Sequence, residues 1–118
     1  MTWQALEAVL DGMGYEYARQ GSYAEQGDLP ATFLTFWNIE TPEARFYDDA
    51  PTVAVWTWQV YLYTKDPSIM YSAMDRLVDS ARAQGFVPDG RAWDIDAGEP
   101  GYVGRTVRLR YVQDIQTS

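Results

Sequence analysis

The sequence predicts an α+β fold: a mostly antiparallel sheet with two helices packed on one face, in the order α-β-β-β-α-β-β. Two segments repeat apolar residues at helical spacing, Trp3-Leu6-Val9-Leu10-Met13 and Ile69-Met70-Ala73-Met74-Leu77-Val78-Ala81. Five others carry strand patterns between Gly, Pro and Asp punctuation. Two helices can cover only one face of such a sheet, so the other is left for something else.

Thr2 can cap the first helix, and Gly12 and Gly14 can end it. Tyr15–Arg19 reads as a short strand, and the polar, glycine-bearing Gln20–Asp28 as a loop. Leu29-Pro30 opens a second strand, Thr32–Glu40, with Phe33, Trp37 and Ile39 on one side and Leu34 and Phe36 on the other. Glu40–Pro51, punctuated by Pro42, Asp48-Asp49 and Pro51, reads as a long connection inside an antiparallel pair. Hairpin loops are normally much shorter. This one is expected to be either flexible or held, for instance by a neighbouring subunit.

Val53–Thr64 is a long strand with bulky residues on both faces. Ala54, Trp56, Trp58, Val60 and Leu62 share one face and read as core. Val53, Val55, Thr57, Gln59, Tyr61 and Tyr63 share the other. That second face is too aromatic for an idle wet surface and too polar for a sealed core, which points to contact with another protein.

The following helix has the clearest boundaries: Asp66 as cap, Pro67 at the first helical position, Gly85 as stop. Asp75, Arg76, Asp79 and Arg82 sit off its apolar stripe, which is expected to pack on the sheet. Phe86–Arg91 reads as a turn, Ala92–Ala97 as a strand, and Gly98-Glu99-Pro100-Gly101 as another turn. The last strand is Tyr102–Val112, with Val103, Val107, Leu109 and Tyr111 one way and Thr106, Arg108 and Arg110 the other. Gln113–Ser118 is expected to fray.

Bulk properties narrow the function. A chain of 118 residues at 47% hydrophobic reads as one globular domain, residues 1–118. With no Cys and no His, disulfides, zinc–thiolate sites, cysteine nucleophiles and the Ser-His-Asp and HExxH constellations are impossible within it. The expectation is a protein that is not an enzyme and uses no cofactor or metal. A net charge of −8 opposes gripping of a phosphate backbone or an anionic membrane. No apolar run spans a bilayer and the N-terminus lacks a signal-peptide layout, so a soluble, unexported protein is expected.

Three motifs need weighing. Asp94-Ile95-Asp96-Ala97-Gly98-Glu99 is a poor match to a calcium loop: a third oxygen ligand is missing before the glycine, and Arg105 stands where the terminal glutamate belongs. Asp48-Asp49 reads as solvated turn charge rather than a catalytic pair. Arg105, Arg108 and Arg110 admit three readings: a solvated edge, internal ion pairs, or pairing with acidic loops of a neighbouring copy. Neither a GxGxxG nor a GxxxxGK[ST] phosphate loop occurs.

Leu29-Pro30-Ala31-Thr32-Phe33-Leu34-Thr35-Phe36-Trp37, then Asp48-Asp49, then Trp58-Gln59-Val60-Tyr61-Leu62-Tyr63-Thr64-Lys65-Asp66-Pro67, resembles the tail terminator (tail completion) proteins of long-tailed bacteriophages of the siphovirus type. The helix that follows, the Gly85-Phe86 step, Trp93-Asp94-Ile95 and Gly104–Tyr111 are similar to that family as well. The resemblance implies a structural virion protein of the tail or neck, assembled in the host cytoplasm. It implies a homo-oligomeric ring, typically of six copies, that caps the tail tube, stops its polymerisation and offers a surface to the head-side connector. DNA would pass through the lumen without specific binding. Partners would be other copies, the major tail tube protein and the head-completion protein, with no membrane. The candidate contact residues between copies are Arg45, Asp48, Asp49, Val55, Tyr61, Tyr63, Arg108 and Arg110. Alternatives are a head-side connector or other neck protein, or a small module binding a ligand or peptide on its aromatic sheet face.

Overall fold

The computed structural model describes residues 2–19, 29–47 and 50–114. Helix α1 is Thr2–Met13 and α2 is Pro67–Ala83. The strands are β1 Glu16–Arg19, β2 Thr32–Tyr47, β3 Ala50–Thr64, β4 Val87–Pro88, β5 Trp93–Ile95 and β6 Val103–Asp114. They form one six-stranded sheet in the order β1-β2-β3-β6-β4, with β5 also on β6. Among the described residues only the short β1–β2 pairing is parallel. This is the α+β architecture expected, with one strand more.

Both helices lie on the same side of the sheet. Leu6, Val9, Leu10 and Met13 of α1 and Met70, Ala73, Met74, Leu77 and Ala81 of α2 are buried in one cluster. Their sheet partners are Leu34 and Phe36, then Trp58, Val60 and Leu62, then Val107 and Leu109, which alternate along their strands and therefore share one face. Phe86 closes the cluster against Tyr111, ring centroids 5.0 Å apart. Burying that many aliphatic and aromatic side chains, at about 1.5–3 kcal/mol each, is the main force holding the layers together.

The chain has local reasons to place α2 where it does. The Asp66 carboxylate accepts the Ser68 backbone N–H at 3.0 Å and the Ser68 hydroxyl at 2.6 Å. The hydroxyl bond first, then the backbone bond, holds the Asp66 carboxyl below its ordinary range. Pro67 follows the cap, where a missing N–H costs nothing. Gly85 ends the helix with φ 95°, a left-handed conformation that other residues resist.

Four expectations need correction. Glu40–Pro51 is not a loose connection: β2 continues to Tyr47 and β3 starts at Ala50, paired through Tyr47↔Ala50. Register shifts between Asn38 and Glu40, Glu40 and Glu43, and Arg45 and Phe46 accommodate Pro42 and Pro51, since bulges tolerate residues that cannot donate to the ladder. Val87–Pro88, expected as part of a turn, is a strand pairing with Arg110 and Leu109. β5 is shorter than Ala92–Ala97, because the Asp96 side chain accepts the Gly98 N–H at 2.8 Å and turns the chain away. Gln113 and Asp114, expected to fray, pair with Ala54 and Val53. The rest of that tail, the Gln20–Asp28 loop, Asp48 and Asp49 lie outside the described residues.

Candidate functional site

The sheet side turned away from the helices is built in cross-strand rows fixed by the register. Phe33, Tyr63, Gly104 and Ile95 form one row, and Thr35, Tyr61, Thr106 and Trp93 the next. Trp37, Gln59 and Arg108 follow, then Thr57, Arg110 and Val87, then Val55 and Val112, and the register sets the Glu40 backbone opposite Thr57 and the Glu43 backbone opposite Val55. Among the described residues no helix or strand covers this face. Among the described residues five large hydrophobic side chains stand out as exposed, and four lie here: Trp37, Val87, Trp93 and Val112.

Its centre is polar but not wet. Thr35, Thr57, Gln59 and Thr106 are buried in the shade of the rings around them. A directed hydrogen-bond chain runs through the middle. Arg108 Nε–H donates to Gln59 Oε1 at 3.3 Å, Gln59 Nε2 donates to Thr106 Oγ1 at 2.6 Å, and Thr106 Oγ1 donates to the Val60 carbonyl at 2.8 Å. Gln59 and Thr106 both find hydrogen-bond partners, so their burial costs little. The chain also fixes Arg108 by its Nε and leaves its Nη groups without a partner among the described residues.

The aromatic part is ordered by contact. The Tyr61 and Tyr63 rings stack, Phe33 lies 5.1 Å from Tyr63, and Tyr102 lies 5.8 Å from Phe33 edge-on. Trp37 Nε1 donates to the Tyr61 hydroxyl at 3.2 Å. Gly104 gives Tyr63 and Ile95 room to meet, because a Cβ there would stand 3.0 Å from Ile95 Cγ1 and 3.2 Å from Tyr63 Cδ1.

Five of the predicted contact residues, Val55, Tyr61, Tyr63, Arg108 and Arg110, converge on this face. Val55 is buried and offers little surface. The Arg45 backbone pairs with Val53; Asp48 and Asp49 lie outside the described residues. Trp93, Ile95 and Val87 also belong to the face, although only long-range pairing with β6 puts them there.

The three arginines part company. Arg105 lies on the helix side, salt-bridged to Asp94, donating to the Ala92 carbonyl and resting over the Tyr71 ring. Tyr71 donates to the same Asp94 carboxylate at 2.9 Å. Asp94 is therefore occupied by Arg105 and Tyr71, which argues against a calcium role for its loop. The Arg105 bond first, then the Tyr71 bond, holds its carboxyl below the ordinary range. Among the described residues no carboxylate pairs with Arg108 or Arg110.

Elsewhere, an open cleft between α2 and the β4–β5 connection is lined by Asp75, Asp79, Arg82 and Arg91 over Val78 and Val107, a mixed lining that selects no ligand class. Among the described residues no group of three acids is placed to hold a metal ion, and no helix is long and apolar enough to cross a membrane. The chain matches no protein-family model and no curated protein.

Proposed function

We propose that this chain is a structural subunit that assembles through its uncovered sheet face into a ring capping a bacteriophage tail tube. The observation that carries the reading is that face itself: aromatic rings and two arginines that pair with no carboxylate among the described residues, on the side the helices leave open. Large rings with few rotors and planar guanidinium groups are what buried interface centres are enriched in. The resemblance of Leu29–Trp37 and Trp58–Pro67 to tail terminators supplies the setting. The long β2–β3 hairpin supports it, since a molecule 54 Å long and only 28 by 22 Å across exposes much sheet for its size. In this reading the ring stops addition of tube subunits, meets the head-side connector on its far side, and lets DNA pass through an acidic lumen that does not hold phosphate. It performs no catalysis.

The experiment is electron microscopy of the purified protein mixed with purified tail tubes. Density confined to one tube end supports the reading; binding to capsid portals instead would favour a head-side connector. The Tyr61–Tyr63 stack favours one further reading, a module that binds a flat ligand or an extended peptide. Saturable quenching of Trp fluorescence by such a ligand, without assembly, would support it.

A further inference from the structure

We infer that Val87–Gly101 is a strap that opens as a unit while the rest of the fold stays closed, with the Tyr71–Asp94–Arg105 contact as its latch. The strap behaves so in a single copy, whatever the chain assembles into.

The strap is held firmly at its ends. Phe86, just before it, is buried against Tyr111. Tyr102, just after it, donates from its hydroxyl to the Pro30 carbonyl at 2.7 Å and lies edge-on to Phe33. Gly85 and Gly101, each beside an anchor, take φ values of 95° and 84°, where glycine can absorb a change of direction. Between the anchors, every residue from Val87 to Gly101 is described and none is buried. Ala92 packs against the edge of the hydrophobic cluster, and Ile95 lies over Gly104.

Its backbone grip on β6 is short. β4 pairs through Val87↔Arg110 and Pro88↔Leu109, and β5 through Trp93↔Thr106, Asp94↔Arg105 and Ile95↔Gly104. Pro88 has no N–H to give. On its other side β6 pairs with β3 all the way from Val53↔Asp114 to Thr64↔Val103. Between β4 and β5, an open cleft of about 560 Å³ lies between the strap and Asp75, Val78, Asp79 and Arg82 of α2. A segment with few buried contacts and few ladder bonds opens at lower free energy than the body it lies on.

Asp94 ties the strap to two other elements. Its carboxylate takes Arg105 of β6 and the Tyr71 hydroxyl of α2, the latter at 2.9 Å. Arg105 also donates to the Ala92 carbonyl at 3.0 Å and rests on the Tyr71 ring, 4.8 Å from its centre. Helix, strap and strand therefore meet at one carboxylate. The Asp94 side chain is 55% exposed, so water screens the pair and the latch is weak enough to release.

Opening uncovers the outer edge of β6. The Arg108 carbonyl accepts the Asp89 N–H at 2.8 Å, so by alternation the N–H groups of Thr106 and Arg110 face the strap, while those of Val107 and Leu109 face β3. The freed edge offers backbone groups of the kind an added strand pairs with. The strap is a gate on that edge.

Amide hydrogen exchange on the whole chain reads both sets of amides in one sample. In the wild type, Thr106 and Arg110 should exchange at least about ten-fold faster than Val107 and Leu109, each relative to its unstructured rate, and with a smaller dependence on denaturant. Leu77→Ala loosens the body beneath the strap. It should speed Val107 and Leu109 at least about thirty-fold, and Thr106 and Arg110 by no more than about a fifth of that factor. Asp94→Ala removes the latch and should speed Thr106 and Arg110 at least about three-fold. Tyr71→Phe, which takes away one bond and keeps the ring under Arg105, is the second latch variant and should give a smaller rise. All four amides exchanging together in the wild type, or speeding by one factor in Leu77→Ala, would mean that strap and body open only together, and would overturn the proposal. Thr106 and Arg110 unchanged in both latch variants would overturn the latch.

Discussion

The Tyr61 and Tyr63 rings lie 6.1 Å apart and 6° from parallel, on the side of the sheet that no described helix covers. The stack is braced at both ends, by Trp37 on the Tyr61 hydroxyl and by Phe33 against Tyr63. A braced aromatic row loses little freedom when a partner lands on it, which is the physical case for treating it as a prepared surface. The same side chains contribute little to the hydrophobic cluster beneath the helices. Stability and assembly should therefore be separable by mutation.

Leu77 is fully buried between α2 and the sheet. Leu77→Ala should cost about 2–5 kcal/mol of stability by leaving a cavity. Chemical denaturation would show the midpoint falling with the slope unchanged, while association measured well below the midpoint stays as in the wild type.

Gly104 should tolerate no side chain. An alanine Cβ would press on Ile95 and on Tyr63, both held by their rows. Gly104→Ala should cost about 1–3 kcal/mol as overpacking. It should also displace Tyr63, visible as a change in near-ultraviolet circular dichroism. An unchanged melting curve and spectrum would contradict the packing described.

Tyr17 offers a titration. Its pKa is pushed up to about 12, above the ordinary tyrosine value, by the Asp11 bond. A raised folded-state pKa means stability that is fully present below the ordinary tyrosine range and lost as pH rises through about 12. Alkaline absorbance titration of wild type and Asp11→Ala should differ by one phenol ionising earlier in the variant. Superimposable curves would contradict the contact.

Asp94 works in the opposite sense. Arg105 and Tyr71 lower its pKa, so its contribution is present above the ordinary carboxylate range and lost as pH falls through the lowered value. Arg105→Gln should lower the melting temperature near neutral pH, and the gap from wild type should close on acidification. A gap independent of pH would mean that Arg105 acts through packing alone.

The legible parts of this chain were those with short-range causes. Helix α2 could be read because Asp66, Pro67, its apolar stripe and Gly85 all act within a few residues. The two faces of β3 could be read because alternation is local. The β2–β3 hairpin could not, since Pro42 and Pro51 mimic loop punctuation while bulges carry them within the ladder. Val87–Pro88 is too short to show a period. The tryptophans divide by partners distant in sequence: Trp58 is buried, Trp3 and Trp56 pack against the core, and Trp37 and Trp93 are exposed on the open face. The hydrogen-bond chain from Arg108 through Gln59 to Thr106 joins β6 to β3 and back, which no local pattern encodes.

The role of the open face is read from the occupancy of tail-tube ends by Tyr61→Ala and Arg108→Ala proteins, counted in micrographs beside their melting temperatures. Capped ends are expected with the wild type, few with either variant, and melting temperatures close to wild type for Arg108→Ala. Ends capped as fully by both variants as by the wild type would show that the open face of the sheet is not where this protein meets its neighbours.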